Sequence, residues 1–480
     1  MESKKLTLRQ WSGLLLIGLC GQLAWCIENN YINMWVYSQS SSTSAITWMS
    51  VFSAIAATLT TIFMGALSDK LGNRKTFIAV GYVVWGLSVV SFSFINRDNM
   101  SALFGDANAV LGVGIFMVVL DCIMTFFGST SNDACFNARV TEITTSENRG
   151  KVETALSVLP LFANVIVLLV AGIFGANAQL SDTQKSQISA GESTASFLKM
   201  PWFYFFLAFG LLMVIVGIVS LFLLEKDKIA PKKDTKYWSN LVYGFKPSVI
   251  KKNPKLYIAL LGFMAFNTAI NCFMPFYMVY FQNDTQYGGA GVGSGTNFFI
   301  CLGSILIAAS LLAIIVGLFM DKIGKMKLLL PALALTGLGL LLMYFSHALW
   351  AYIISGILMM GGYLISTAIL GAIIRDETPT DQVGLFQGVR MVFVVLIPFA
   401  VGTPITNLVF QLSGITYTDS YNQTSPAPTA VMFLVALGFI VLALAPSLWL
   451  ILREKKNPKV LVPSSKEETK PESDKTPHQP

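Results

Sequence analysis

Two carboxylates stand inside apolar stretches of the sequence. Glu28 lies in the apolar run 12–37 with Trp25, Asn29 and Asn33, and these positions recur every three or four residues, so they share one face of a helix. A carboxylate in hydrocarbon costs about 3 kcal/mol or more unless it faces a cavity or a partner. Glu28 is therefore a candidate functional residue; the alternative is that it lies near a helix end, in water.

The second carboxylate, Asp121, begins a polar stripe within the apolar run 107–136. Thr125 and Asn132 follow at i+4 and i+11, on the same helix face. A buried carboxyl group suits a proton carrier, and together with Glu28 it could instead hold Na⁺, which prefers oxygen ligands. The alternative is a structural hydrogen bond to a neighbouring helix.

Side-chain amides provide candidate contacts for a polyhydroxylated solute, because they both donate and accept hydrogen bonds. Asn267 and Asn271 lie one helical turn apart, and Trp25 could stack on a sugar ring. The alternatives are helix–helix hydrogen bonding for the amides and an interfacial anchor for the tryptophan. The predicted solute-binding residues are Trp25, Asn29, Asn33, Thr125, Asn132, Asn267 and Asn271. Weaker candidates are Asn164, Gln387 and Arg390, and for Arg390 a structural role is the preferred interpretation.

The composition indicates which elements must position these residues. The chain has 480 residues, of which 54% are hydrophobic and 12% charged, against about 25% charged in a soluble domain. A multi-pass membrane protein is predicted, with the lipid bilayer as partner. Runs long enough to cross a bilayer occur at 12–37, 45–67, 76–96, 107–136, 152–177, 201–224, 256–281, 296–320, 328–346, 349–374, 384–410 and 429–452.

The distribution of basic residues predicts the orientation. With both termini cytoplasmic, the three long outside loops contain Arg97, Lys185 and Lys199, and the other 30 of the 33 Lys and Arg residues lie in cytoplasmic loops, tails or helix ends. The basic residues therefore mark the cytoplasmic face of a cell-membrane protein, and no nucleic-acid partner is expected.

The runs group into two halves. We predict an N-terminal six-helix bundle over 1–224, a basic cytoplasmic linker with a short surface helix over 225–255, a C-terminal six-helix bundle over 256–452 and a disordered cytoplasmic tail over 453–480. A monomer is expected.

No motif of a soluble enzyme is found. The sequence has no Walker loop, G-x-S-x-G, H-E-x-x-H or Cys/His cluster. We therefore expect no enzymatic activity, no cofactor, no bound metal and no ATP-driven transport by this chain alone.

One charged hairpin occurs twice. The segment 65–75, GALSDKLGNRK, returns at 317–327 as GLFMDKIGKMK, each time between two apolar runs. A long internal repeat implies two structural copies in one membrane protein. A second element, EITTSENRG at 142–150, has the counterpart DETPTDQVG at 376–384.

These motifs resemble the signature loops of the major facilitator superfamily. The resemblance implies an all-α fold of twelve transmembrane helices in two pseudo-symmetric six-helix bundles, with a solute site between them. It also implies a conformational gate formed by Asp69, Arg74, Arg139, Glu142, Arg149 and Asp321. Because the second copy has Met326 in place of Arg74 and Val383 in place of Arg149, we expect the stronger charge lock in the N-terminal half.

Within that superfamily, the run 120–138 resembles the fourth helix of glycoside–cation symporters and sucrose transporters. The resemblance implies alternating-access transport of a sugar or glycoside coupled to H⁺ or Na⁺, with Glu28 and Asp121 binding the cation. Two alternatives remain open: an exporter of drugs or lipids, and a non-transporting sensor of the same fold.

Overall fold

Twelve long helices, numbered α1 to α12, make up most of the computed structural model, and all twelve are long and apolar enough to cross a bilayer. The structure describes residues 6–144, 149–176, 199–225, 244–293, 295–379, 383–418 and 424–456. The helices span Leu8–Ser40 (α1), Thr43–Leu71 (α2), Arg74–Ser91 (α3), Asp106–Ile143 (α4), Arg149–Phe174 (α5), Met200–Leu223 (α6), Pro254–Gln282 (α7), Thr296–Ile323 (α8), Lys325–Phe345 (α9), Leu349–Glu377 (α10), 383–413 (α11) and Val431–Lys456 (α12).

Short elements connect these helices. Short helices cover Phe92–Phe94, Arg97–Phe104, Pro247–Lys252 and Thr285–Tyr287. Strands β1 (Thr416–Thr418) and β2 (Thr424–Pro426) pair antiparallel in the α11–α12 connection, with Thr416 opposite Pro426.

The predicted fold class is confirmed, and the predicted boundaries change in two places. Helix α12 continues to Lys456, past the predicted start of the tail, and α7 begins at Pro254, inside the predicted linker. The short helix Pro247–Lys252 also lies within the linker, for which one short helix was expected. The rest of that linker, 226–243, and the tail 457–480 lie outside the described residues.

Large apolar side chains cover the outside of the bundle. Leu111, Ile215 and Leu318 are 63%, 56% and 73% exposed on α4, α6 and α8. An outer surface of this kind suits lipid, because acyl chains solvate apolar side chains.

Helices α1–α6 form one half and α7–α12 the other. We call the end at which α1 begins and α12 ends the terminal end. At the opposite end the halves meet: the Asn407 side-chain amide donates to the Ser44 hydroxyl at 3.1 Å, and the rings of Tyr37 and Tyr417 are 6.1 Å apart. The structure is therefore closed between the halves at the opposite end.

Close packing within the first half depends on glycine. A Cβ at Gly86 of α3 would lie 2.5 Å from the backbone oxygen of Gly210 on α6, and a Cβ at Gly210 would lie 2.6 Å from the Gly86 oxygen. Only glycine lets the two backbones approach this closely, as is usual where membrane helices cross.

Four helices are locally irregular. Segments with π-helical hydrogen bonding occur in α1 (Ile27–Ile32), α4 (Ser129–Phe136) and α11 (Val392–Leu396), and α7 is interrupted by a turn between Phe273 and Tyr277. Single π turns within α-helices are frequent at functional sites. All four irregular regions border the same interior cavity.

Candidate functional site

A cavity of about 710 Å³ lies between the two halves. It is lined by α1, α2, α4 and α5 from the first half and by α7 to α11 from the second. Its volume is within the range of about 300–1,000 Å³ that is usual for small-molecule sites. Because both halves contribute walls, a movement of one half relative to the other changes how the cavity opens to the outside of the protein.

The Glu28 carboxylate ties together three helices in the cavity wall. Its Oε1 accepts hydrogen bonds from the hydroxyls of Ser53 on α2 at 2.9 Å and Thr125 on α4 at 2.8 Å. The two hydroxyl oxygens are 2.7 Å apart, and Glu28 is 6% exposed. Its Oε2 is buried and has no hydrogen-bond partner within the described part of the chain.

Asp121 lies in the same wall, one helical turn before Thr125. It is 1% exposed, its Oδ1 is buried without a partner among the described side chains, and it is close enough to Glu28 to repel its charge. Neither carboxylate forms an ion pair with a described Lys or Arg. Two buried carboxylates without a basic partner need a cation to balance them. Oxygen ligands of this kind can take up H⁺ or Na⁺.

The amides predicted on α1 have both a structural and a cavity-facing role. Asn29 and Asn33 line the cavity, but each donates its side-chain N–H to a backbone carbonyl four residues earlier, at 2.8 and 2.7 Å. These bonds stabilise the π-helical segment, because the change of helical hydrogen bonding there leaves some backbone carbonyls available to side-chain donors. The Oδ1 of Asn33 has no partner within the described ranges. Trp25 also lines the cavity and packs on Trp85 with ring centroids 5.0 Å apart.

The amides on α7 connect the two irregular helices of the second half. Asn267 donates to the carbonyl of Val394, within the π segment of α11, at 2.9 Å. Asn271 donates to the carbonyl of Asn267 at 2.8 Å. Both residues line the cavity. The structure thus brings all of the predicted solute-binding residues except Asn132 to one cavity.

Asn132 lies apart from the other predicted solute-binding residues. Asn132 is not part of the cavity wall; its Oδ1 lies 3.4 Å from the Tyr82 hydroxyl, which donates to the Ile17 carbonyl at 2.8 Å, and it packs where Gly21 leaves room for it. It shares the α-helical face of Asp121 in the sequence, but the π segment from Ser129 onward changes its direction. Asn132 therefore joins α4 to α1 and α3.

The cavity wall also contains residues that the sequence-based predictions missed or undervalued, among them Asp133, Ser53 and Arg390. Asp133, in the π segment of α4, and Ser53 on α2 both line the cavity. Arg390 lines it from α11, with no ion pair to any described carboxylate, although a structural role was preferred for it. Asp133 could have been found from the sequence, because it is an acidic residue about two helical turns after the predicted residue Thr125. A serine such as Ser53 gives no comparable signal in an apolar run. Of the weaker candidates, Asn164 also lines the cavity, and the side chain of Gln387 lies outside the described residues.

The predicted gate residues lie at the terminal end. Arg74, at the start of α3, forms an ion pair with Glu142 near the end of α4. Arg139 is 6% exposed and donates to the backbone oxygen of Glu225 at 2.8 Å. The side chains of Asp69, Arg149 and Asp321 lie outside the described residues.

The second half has an ion pair at the equivalent place. Lys325, at the start of α9, bonds to Asp376 near the end of α10 at 2.7 Å. Asp376 is the repeat counterpart of Glu142, and Lys325 comes one residue before Met326. Each half therefore has such a pair, but the basic side chain is 7% exposed for Arg74 and 28% for Lys325. The stronger charge lock in the N-terminal half stays a prediction.

Two six-helix halves around a central cavity, closed at one end, define a membrane transporter of the alternating-access class. The chain belongs to the major facilitator superfamily: the family model described as Major Facilitator Superfamily matches residues 14–308 and 300–475. It is therefore a secondary transporter and not an enzyme.

Solved structures of transporters share this fold. A mutant of the nucleoside transporter NupG superposes with a TM-score of 0.65 at 12% identity, covering 91% of this chain and 99% of NupG. A bacterial homologue of the human lysosomal transporter Spinster, inward-facing and unoccupied, gives 0.65 at 14% identity, over 94% and 99%. The xylose transporter XylE from E. coli, partially occluded and inward open, gives 0.62 at 13%, over 93% and 99%. No curated protein matches the sequence.

Proposed function

We propose that the chain moves a sugar or glycoside together with H⁺ or Na⁺ by alternating access. The observation that carries this proposal is the Glu28 carboxylate, held by two hydroxyls beside Asp121, which forms no ion pair with a described basic residue, in the wall of the cavity. A transporter that binds its solute and a cation in one cavity can couple their movements, because occupation by both changes which conformation is favoured.

The cation site is the best-defined part of the proposal. Ser53 and Thr125 hold one carboxylate oxygen of Glu28, while Glu28 Oε2 and Asp121 Oδ1 have no partner among the described groups. The pre-arranged oxygens and the negative charge on two adjacent carboxylates suit a small cation. Binding the cation removes their repulsion and so favours a compact arrangement of α1, α2 and α4.

The solute contacts come from both halves. Trp25 and Asn29 on α1 and Asn267 and Asn271 on α7 line the same cavity. The amides have oxygens and remaining N–H groups that match sugar hydroxyls, and the indole offers a stacking surface. NupG and XylE, which share the fold, are named for a nucleoside and for xylose, two polyhydroxylated solutes.

The proposed orientation places the terminal end in the cytoplasm of a cell whose plasma membrane holds the protein. The closed opposite end, with Asn407 bonded to Ser44, then makes this the inward-facing form. The ion pairs Arg74–Glu142 and Lys325–Asp376 each lie within one half here. We expect the gate residues to make contacts between the halves when the terminal end closes.

Reconstitution in proteoliposomes tests the proposal. Solute-driven proton uptake is measured with a panel of disaccharides, with and without Na⁺. Asp121→Asn and Glu28→Gln should abolish concentrative uptake but allow solute exchange. Asp106→Asn is the matched control, because Asp106 is an exposed carboxylate at the start of the same helix. Unchanged coupled accumulation in Asp121→Asn would show that the assignment is wrong, and movement of an amphipathic dye with no response to any sugar would favour an exporter.

A further inference from the structure

The two walls of the cavity differ in chemistry. The first half contributes its carboxylates Glu28, Asp121 and Asp133 together with most of its amides and hydroxyls. The second half contributes six methionines: Met274, Met278, Met343, Met359, Met360 and Met391. The cavity is thus polar on one side and largely apolar on the other.

Aromatic rings extend the apolar wall. Phe263 and Phe281 on α7, Phe399 on α11 and Tyr363 on α10 also line it, and Tyr363 stacks on Phe266 with a ring-centroid distance of 6.2 Å and an interplanar angle of 12°. Methionine is flexible and polarisable, so a group of methionines beside rigid rings can adapt to apolar groups of different shapes. A solute with hydroxyls on every side would find few partners in this wall, chiefly Asn267, Asn271 and Arg390.

We propose that the solute is an amphiphilic glycoside whose sugar lies against the first half and whose apolar aglycone, an alkyl or aryl group, lies against the methionine wall. The inference rests on the proposed function, because it assigns the sugar to the polar wall. The walls are complementary to the two ends of such a molecule. Burial of the aglycone removes the apolar surface of both the aglycone and the methionine wall from water.

Arg390 is a cationic residue in the wall contributed by the second half. It lies there with Met391, Val394 and Phe399, and no described carboxylate forms an ion pair with it. Its guanidinium, like the amides of Asn267 and Asn271, can donate hydrogen bonds to the sugar, so these three residues are polar groups within a largely apolar wall. The carboxylates of the opposite wall would also attract an amphipathic organic cation, and competition by alkyltrimethylammonium ions distinguishes the two kinds of solute.

Alkyl β-glucosides of increasing chain length test the inference. Methyl, butyl and hexyl β-glucoside compete for uptake in proteoliposomes, below their micellar concentrations. Each added methylene should improve the inhibition constant about two- to fourfold, as expected for burial of a CH₂ group. Met360→Gln and, separately, Met391→Gln should flatten this dependence. Met360→Leu should retain it, and Met200→Gln, at an exposed position on α6, is the control.

The outcomes separate this inference from the proposed function. Cation-coupled uptake of methyl β-glucoside with no dependence on chain length would overturn the inference and leave the function standing. Dependence on chain length that disappears in both methionine variants, but with no effect of cation, would support the apolar subsite and contradict the coupling. Steeper competition by alkyltrimethylammonium ions than by the glucosides would overturn the inference in favour of an amphipathic cation.

Discussion

Replacing Thr125 by valine distinguishes the two cations that could bind at Glu28. The Thr125 hydroxyl is buried and donates to Glu28 Oε1 at 2.8 Å. Valine has nearly the same shape without the hydroxyl, so the substitution removes one hydrogen bond and leaves the packing of α4 against α1 largely intact. The shape of the cavity should therefore change little.

The size of the effect follows from that single bond. A hydrogen bond to a charged group contributes about 1.5–3 kcal/mol, and about 1.4 kcal/mol corresponds to a factor of ten. Cation binding should thus change roughly 10- to 100-fold. The sign depends on the ion. For Na⁺ the loss of an ordered oxygen weakens binding, and half-maximal uptake requires more Na⁺. For H⁺ the loss of a donor to the ionised carboxylate favours its protonated form, and half-maximal uptake moves about one to two units towards higher pH.

The assay is the initial rate of solute uptake in proteoliposomes as a function of Na⁺ at fixed pH and of pH without Na⁺. Thr130→Val is the control, because Thr130 is also buried on α4 but donates to the Phe126 carbonyl outside the cavity wall. Ser53→Ala should act in the same direction. Because the Ser53 and Thr125 hydroxyls are 2.7 Å apart, the double variant should deviate from additivity by about 0.5–3 kcal/mol. If Thr125→Val leaves both titration curves within twofold of wild type, the hydroxyl does not help to hold the cation and the argument fails.

Three further predictions concern packing and the gate. Gly86→Ala should lower the melting temperature in detergent, because its Cβ would lie 2.5 Å from a backbone oxygen of α6 and overpacking costs about 1–3 kcal/mol. Gly438→Ala is the control, because nothing lies within 4 Å of the added Cβ. Equal melting temperatures of the two variants would contradict the close crossing of α3 and α6. Asn132→Ala should reduce thermal stability but leave the KM for solute unchanged, and a rise in KM would return Asn132 to the binding site. Arg74→Gln should slow transport more than Lys325→Gln, because the Arg74 pair is more buried; the reverse order in uptake rates would show that burial does not determine the gate's strength.

The fold was predictable because hydropathy and charge act over long segments. Each of the twelve predicted runs corresponds to a helix, since about 20 apolar residues without charges leave few other structures in a membrane. The repeated hairpin also indicated two equivalent halves. The boundary of α12 was placed too early because Arg453, Glu454 and Lys455 are charged, yet a helix can continue beyond the bilayer.

The site was predictable only in part. Glu28 and Asp121 stood out because a charge in an apolar run needs an explanation, and the structure places both in one wall. Asn132 and Asp133 could not be assigned correctly, because ideal α-helical spacing fails across the π segment of α4. The ion pair between Lys325 and Asp376 was not predicted, because the residue that corresponds to Arg74 in the second copy of the hairpin is Met326. The basic residue that reaches Asp376 is its neighbour, Lys325.

The π segment of α4 determines the rotational setting of everything that follows it. Successive residues of an α-helix are about 100° apart around its axis, and a π turn encloses one residue more than an α turn. Asp121 lies before the segment, and Arg139 and Glu142 lie after it. Loss of one residue between 129 and 136 would turn the π turn into an α turn and leave the charged end of α4 in nearly the same rotational setting relative to Asp121, whereas loss of one residue from the α-helical part between Asp121 and Ser129 would turn that end by about 100°. A one-residue deletion should therefore be tolerated within the π segment and not before it, and sequence comparisons should allow a gap there.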